Sequence, residues 1–368
     1  MANRLITELE LEAVANLSSR EAAKILGVGK STINDYRAKK AITVRPTVNS
    51  TLAPAWPVIQ QAKPVVVQYK PAVTRPATKS EWKTAVVFPD PQIGFRLYED
   101  GTLDPYHDTK AMSVALSVLD YEQQQNGVDQ LVNLGDFLDL PSQGKYAQEA
   151  AFANTTQLAI DYGHVFLAKQ RALAPNAKII LIEGNHDRRL QNFVELNALS
   201  AFGLRRAGLP DTWPVMSLPY LLRLDELNVE YIDAYPAGVH WIADDLRAIH
   251  GDKVRSGGST AAAYTNALPH ISTVFGHTHR LEIQSKTTFD RMGKIRSMAI
   301  SPGCLCRTDG AVPSVNGAIG IDGRPAQEFE NWQNGIAVIK YKDNGEFFVN
   351  LVQIDGGKTV YNGVEFRA

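Results

Sequence analysis

The chain has 368 residues, 44% of them hydrophobic, enough for one large domain with a sizeable core and a small one beside it. No apolar run approaches the roughly 18 residues of a membrane helix, and the opening MANRLITELE lacks a basic end followed by an apolar stretch, so neither membrane spanning nor export is expected and a cytoplasmic protein is. The net charge of -1 conceals an asymmetry: residues 1–80 hold 12 Lys+Arg against 5 Asp+Glu, a net of +7, and the other 288 hold 26 against 34, a net of -8, which predicts different partners for the two parts.

In chain order, the first predicted element is the stretch SREAAKILGVGKSTINDYRAKK (19–40). With Ser19 as the first position of a helix-turn-helix, Ala23 falls where two helices touch and Gly27 in the turn, while Ala22, Leu26, Val28, Ile33 and Tyr36 take buried positions. Ser18 and Glu21 fit a capping box at the start of the first helix. The outer side of the second helix carries Lys30, Ser31, Thr32, Asn34 and Arg37, donors suited to phosphates and base edges, with Asp35 opposing that reading. The stretch resembles the helix-turn-helix domains of recombinases and bacterial regulators, which implies that residues 1–42 bind DNA, as a homodimer if the target is a palindrome. The alternative is a small helical bundle for protein contacts.

Residues 43–80 are expected to be a basic linker: Ala41–Ser80 contains six prolines, no acidic residue and no apolar periodicity. Its one apolar run, PVVVQY (64–69), could add to a sheet edge. From Lys83 onward, strands are predicted at Thr84–Phe88, Gln130–Asn133 and Lys178–Ile182, with helices near 108–125 and 146–173 between them. Further strands are expected at Val229–Ile232, Leu246–Ile249, Ile271–Phe275, Ile295–Ile300, Gly335–Tyr341 and Glu346–Ile354. The order predicts βαβαβ units passing into a more antiparallel half, a layered sheet-on-sheet α/β domain over 81–368. Residues 311–331 read as a long loop near the strand ends.

Five of these runs stop at residues of types that can bind metals. VVFPDPQIG supplies Asp90 and Gln92, VNLGDFLDL supplies Asp136, IILIEGNHDRRL supplies Asn185 and His186, LRAIHGDK supplies His250, and STVFGHTHR supplies His277 and His279. Strand ends gather along one edge of an α/β sheet, where ligands usually bind. The ordered set resembles the motifs of the calcineurin-like metallophosphoesterase superfamily, D-x-H, G-D, G-N-H-D/E, H and G-H-x-H, over roughly residues 84–305. That resemblance implies a two-sheet sandwich flanked by helices with two divalent ions in its loops. Asp90, Gln92, Asp136 and His279 would hold the first ion, and Asp136, Asn185, His250 and His277 the second. It also implies hydrolysis of phosphate esters by metal-bound hydroxide, with His186 beside the leaving oxygen and Asp187 orienting His186.

Gln92 stands where most of the superfamily has His, and a carbonyl ligand biases that ion toward Mn²⁺ or Mg²⁺, with Fe, Zn²⁺ and Co²⁺ also suited to the mixed N/O set. The manganese-dependent ADP-ribose/CDP-alcohol diphosphatases resemble this chain in carrying Gln there, which implies a working variant ligand. Arg188 and Arg189 could hold a substrate phosphate or form surface ion pairs, and His107 could enter the site or sit exposed at a helix start. Asp139 is expected to support or cap, His240 to be a strand residue rather than the fourth-motif ligand, His164 and His270 to be structural, and Cys304 and Cys306 to serve packing.

The expected function is therefore a dinuclear metal-dependent phosphodiesterase acting on DNA, a nuclease tethered to a DNA-binding module, of a kind fitting a bacterial virus or its host. A small-nucleotide pyrophosphatase or cyclic nucleotide phosphodiesterase localised by the module is the alternative. A third reading is a non-catalytic DNA-binding regulator with a silent phosphoesterase domain, as in the retromer subunit that resembles this fold.

Overall fold

A computed structural model describes residues 14, 17–43, 81–145, 149–210, 212–291, 293–313 and 330–368, with only the helical backbone given for 37–43. The run 64–69, nearly all of the linker, the Arg37 side chain and residues 314–329 of the long loop lie outside the described residues. The chain divides into two compact units, Met1–Val66 and Val67–Ala368. Among the described residues, no helix is long and apolar enough to cross a membrane.

In the first unit, α1 (Ser19–Leu26) and α2 (Lys30–Thr43) are joined by a tight turn. The Glu21 amide donates to Ser18 Oγ at 3.4 Å while the Ser18 amide donates to Glu21 Oε2 at 3.1 Å, the reciprocal box that satisfies two helix-start donors. Gly27 closes α1 in the left-handed conformation, φ 64°, which a side chain would strain. Ala22, Ala23, Leu26 and Ile33 are buried, with Val28 and Tyr36 packed on them. Lys30, Ser31 and Asn34 are exposed and Thr32 half-buried.

The second unit is mixed α/β. Its first run is β1 (Lys83–Phe88), a small hairpin of β2 (Phe95–Leu97) and β3 (Leu103–Pro105), α3 (Thr109–Gln125), β4 (Gln130–Asn133), α4 (Thr156–Leu173), β5 (Lys178–Ile182), α5 (Arg188–Asn197), α6 (Leu218–Leu221) and β6 (Val229–Ile232). Next come β7 (His240–Ala243), β8 (Leu246–Ile249), α7 (Thr260–Ala267), β9 (Ser272–Phe275), β10 (Leu281–Asp290) and β11 (Gly293–Pro302). The strands β12 (Asn334–Tyr341), β13 (Phe347–Ile354), β14 (Lys358–Tyr361) and β15 (Val364–Arg367) complete the chain. One sheet has the order β13-β12-β1-β4-β5-β6 and the other β10-β11-β9-β8-β7.

Strand periodicity explains the layering. In β1, Val86 and Phe88 join the core beneath α3 and α4, while Ala85 and Val87 face the second sheet. The alternation repeats in β5, with Ile179 and Leu181 on the helix side and Ile180 and Ile182 on the sheet side against Leu246, Ala248, Val274 and Ile300. Such strands are buried on both faces, so they read as unbroken apolar runs. On the far side of the second sheet, Ala261 and Tyr264 of α7 pack on Ile249 and Phe275.

The second half is the more antiparallel one, as expected: β7 on β8, β10 on β11, β12 on β1 and β13, and β14 on β15 all pair antiparallel. Within the second sheet, however, β8, β9 and β11 run parallel. The short α7 supplies the crossover from β8 to β9, and the β10–β11 hairpin returns the chain to β9.

Candidate metal centre

The loops after β1, β4, β5, β8 and β9 meet at one edge of the paired sheets. The Gln92 amide donates to the Asp136 carbonyl at 2.9 Å, and the Leu305 amide to the Asp90 carbonyl at 3.2 Å. Asp90, Gln92, Asp136, His277 and His279 all have positive φ, 37°, 43°, 44°, 65° and 57°. Left-handed backbone is costly for residues with a side chain and persists where the surroundings enforce it, commonly at functional sites. The strand ends are thus bent to turn these five side chains inward.

All seven residues predicted as ligands come together. Asp136, His250 and His277 offer ligand atoms within 4.8 Å of one another, and so do Asp90, Asp136 and His279. Asp136 belongs to both groups. Asn185 Oδ1 lies 3.0 Å from His250 Nε2, and the side-chain Nε2 of Gln92 3.4 Å from His279 Nε2. Buried Asp90 Oδ2 and Gln92 Oε1 have no hydrogen-bond partner among the described residues. Unsatisfied buried oxygens are expensive, and a cation is the partner that suits both. The donor set fits divalent ions.

The imidazoles are oriented for ligation. His250 Nδ1 donates to the Leu134 carbonyl at 2.8 Å, leaving Nε2 toward Asp136 Oδ1 at 3.3 Å. Cys306 Sγ lies 3.7 Å from His279 Nδ1, so the Nε2 of His279 faces Asp90 Oδ1 at 3.5 Å. Burial works against a charged His250, but Asp136 and Asp90 push it up to about 9. Burial and the neighbouring His250 push His277 down to about 4. Burial raises the Asp136 carboxyl, yet His186, His250 and His277 together hold it well below the usual range. Bound cations would replace these protons, so ion uptake is coupled to proton release.

No protein-family model matches this chain, and no curated protein does. The site is therefore read from its own geometry.

Two expectations about the surrounding residues are corrected. Asp187 does not orient His186: its carboxylate accepts from the amides of Phe137, Leu138 and Gly184 at 3.0, 3.0 and 2.9 Å, tying the β4 loop to the β5 loop. Burial and the nearby Asp136 push its carboxyl up to about 7. The residue on His186 Nδ1 is Asp139, which also accepts from Arg189 at 3.1 Å. Arg189 Nη2 reaches His186 Nε2 at 3.2 Å, whereas Arg188 pairs with Glu183 at 3.5 Å. Of the two arginines, Arg189 is the one at the cluster.

His107 is neither exposed nor among the ligands. It is 1% exposed, packed against Phe95 and Tyr162 with ring centroids 5.0 and 4.4 Å away, and its Nδ1 donates to the Gly94 carbonyl at 3.1 Å. Burial pushes it down to about 4 from an ordinary 6.5. The unfolded chain binds this proton near 6.5, so the stability contribution is complete above that pH and lost as pH falls toward 4. His107→Asn should therefore flatten the acid limb of stability, removing about 2 kcal/mol of the difference between urea unfolding at pH 7 and at pH 5. An unchanged difference would contradict the buried neutral imidazole. His240, the rejected alternative to His250, lies in β7 and hydrogen-bonds Gln130 of β4, across the two sheets, at 2.7 Å.

The expected supporting role of Asp139 takes the form of its bond to His186 Nδ1, while sequence reasoning missed the Leu134 carbonyl and the Cys306 sulfur behind two ligand imidazoles. Cys304 and Cys306 are free and buried, and with His279 they form a third group of ligand atoms within 4.8 Å. The Asp139 signal was in GDFLD, three residues after Asp136. Nothing local marked the other two.

Proposed function

We propose that the chain is a dinuclear metal-dependent phosphodiesterase of the calcineurin-like metallophosphoesterase kind, acting on DNA, with α1 and α2 as a DNA-binding helix-turn-helix. The observation that carries this reading is the double membership of Asp136: one carboxylate shared by two ligand groups is what a pair of bridged ions requires. Two divalent ions held there would clamp a phosphoryl group and supply hydroxide near neutral pH, with Mn²⁺ favoured by the oxygen of Gln92.

The chain's own residues complete the chemistry. Asp139 fixes His186 through Nδ1, so that Nε2, 3.8 Å from Asp136 Oδ2 and 3.2 Å from Arg189 Nη2, would stand beside the leaving oxygen, to donate a proton or stabilise developing charge once Arg189 turns to the phosphate. Arg189, beside the same nitrogen, is placed to hold a phosphate oxygen. Asp139→Asn should lower kcat by about 10–100-fold with little change in KM or in the number of bound ions; a loss confined to KM would remove Asp139 from this role. The exposed donors of α2 and the basic sequence after it favour DNA as the tethered substrate.

A small-nucleotide hydrolase is the second reading, favoured by Gln92, which the ADP-ribose/CDP-alcohol diphosphatases share. Hydrolysis of single- and double-stranded DNA, an aryl phosphodiester and a nucleotide panel with Mn²⁺, each beside Asp136→Ala, separates the two. Asp136-dependent cutting of DNA supports the nuclease. Turnover of nucleotides but not DNA selects the second reading, and no turnover of any substrate overturns both.

A further inference from the structure

The chain between β5 and β6 carries a surface that the metal cluster does not explain. Eight of the eighteen exposed large hydrophobic side chains among the described residues fall within 193–216, including Leu196 at 81%, Leu199 at 69%, Phe202 at 50% and Trp213 at 38% exposed. Such concentration marks an interaction surface rather than scattered surface residues. Between α5 and the part of this segment from Phe202 onward lies a cleft of about 240 Å³. That is below the roughly 300–1,000 Å³ of clefts for drug-sized ligands and is of the size of one nucleobase with part of its sugar.

Its lining combines flat apolar faces with hydrogen-bonding groups. Phe202, Trp213 and Tyr231 supply rings, with Trp213 edge-on to Tyr231 at 5.9 Å, and Gln191, Ser217 and Asp233 supply donors and acceptors. Glu183 and Asp187 form the wall toward the metal cluster, flanking Asn185 and His186 in the chain. Residues 197–210 contain Arg205 and Arg206 and no acid, in a unit whose residues after 80 carry a net of -8 with these two included, and they stand beside a lining that holds Glu183, Asp187 and Asp233. Both arginines are exposed, and Arg205 holds its own loop through the Thr212 and Gly203 carbonyls at 2.8 and 3.2 Å.

We propose that this cleft seats an unstacked base of single-stranded DNA, with Phe202 and Trp213 as stacking faces and Arg205 and Arg206 on the flanking phosphates. Aromatic platforms beside cations are how single strands are held without sequence preference. The proposal rests on the phosphodiesterase reading for its substrate class: a base held behind Glu183 and Asp187 brings its neighbouring phosphodiester to the cluster.

The test is photo-cross-linking of a 5-iodouracil-substituted oligothymidylate to the full chain in chelator, mapped by mass spectrometry, with affinity measured by fluorescence anisotropy. Cross-links should fall at Phe202, Trp213 or Tyr231, and F202A/W213A and, separately, R206E should each weaken single-strand binding by about tenfold or more. Phe202, Trp213 and Arg206 are exposed, so loss of folding does not cloud the result. Cross-links confined to other segments, or unchanged affinity in both variants, would overturn the proposal. A dimer that F202A/W213A dissolves without loss of DNA affinity would also overturn it, making the surface an interface between copies. Since hydrolysis plays no part in chelator, cross-linking here in a chain that cuts nothing would sink only the phosphodiesterase reading. Asp136-dependent DNA cutting with no cross-link here would sink only the cleft.

Discussion

On the proposed phosphodiesterase reading, Asp136→Ala should reduce Mn²⁺-dependent hydrolysis of DNA to below about one-thousandth of the unsubstituted rate, a loss of roughly 4 kcal/mol or more of transition-state stabilisation. The size follows from how much passes through one carboxylate. Asp136 belongs to both ligand groups, its Oδ1 accepts the His186 amide at 2.8 Å, and the same oxygen lies 3.3 Å from His250 Nε2. Removing it would take a ligand from both proposed ions and loosen His186 at once. The folded state should survive, because the position is held chiefly by backbone hydrogen bonds such as that from Gln92 to the Asp136 carbonyl. Steady-state hydrolysis alongside a thermal melt is the check. Residual activity within tenfold of the unsubstituted chain would mean that Asp136 is not shared between ions.

The second large effect is expected from a methyl group. A Cβ added to Gly184 would meet the Asp136 amide nitrogen at 2.1 Å and Asp136 Oδ1 at 2.2 Å. The first contact is with backbone, so the β4 and β5 loops must part, and overpacking of this kind costs about 1–3 kcal/mol and sometimes more. Gly184→Ala should lower Tm by several degrees and remove hydrolysis together. Gly276→Ala makes a useful contrast. There the added Cβ meets Asp90 Oδ2 at 2.4 Å, the end of a side chain. Displacing this carboxylate costs the bond it accepts from the His277 amide at 2.9 Å but leaves the backbone of both loops in place, so Gly276→Ala should weaken Mn²⁺ binding with a smaller loss of stability. Equal Tm losses in the two variants would contradict the distinction between backbone and side-chain obstruction.

These glycines show why the site was legible in the sequence. The strands β1, β4, β5, β8 and β9 are buried on both faces, so each reads as an apolar run that stops where the chain turns into the cluster. Gly135, Gly184 and Gly276, before three of the five motifs, let neighbouring loops approach closely, and their positions beside Asp136, Asn185 and His277 are a local signal. β10 was hidden because its LEIQSKTTFD forms an exposed ribbon whose residues face water on both sides over much of its length. α7 is short and Ala-rich, without a clear apolar stripe, so the crossover that makes β8 and β9 parallel could not be read.

The misassignment of Asp187 has a different cause. Asp139 and Asp187 each lie close to a motif in sequence, and which of them faces His186 is decided by three amides of neighbouring loops that capture Asp187. That capture is a tertiary fact. The apolar segment 193–216 likewise lacks a period because its side chains are not organised toward the core.

The most direct test of the central claim is the number of Mn²⁺ ions bound by the full chain, counted by equilibrium titration beside Asp136→Ala. Two ions per chain, falling to one or none in the variant, is the predicted result. No tight binding, or the same number in both proteins, would contradict a pair of ions bridged by Asp136.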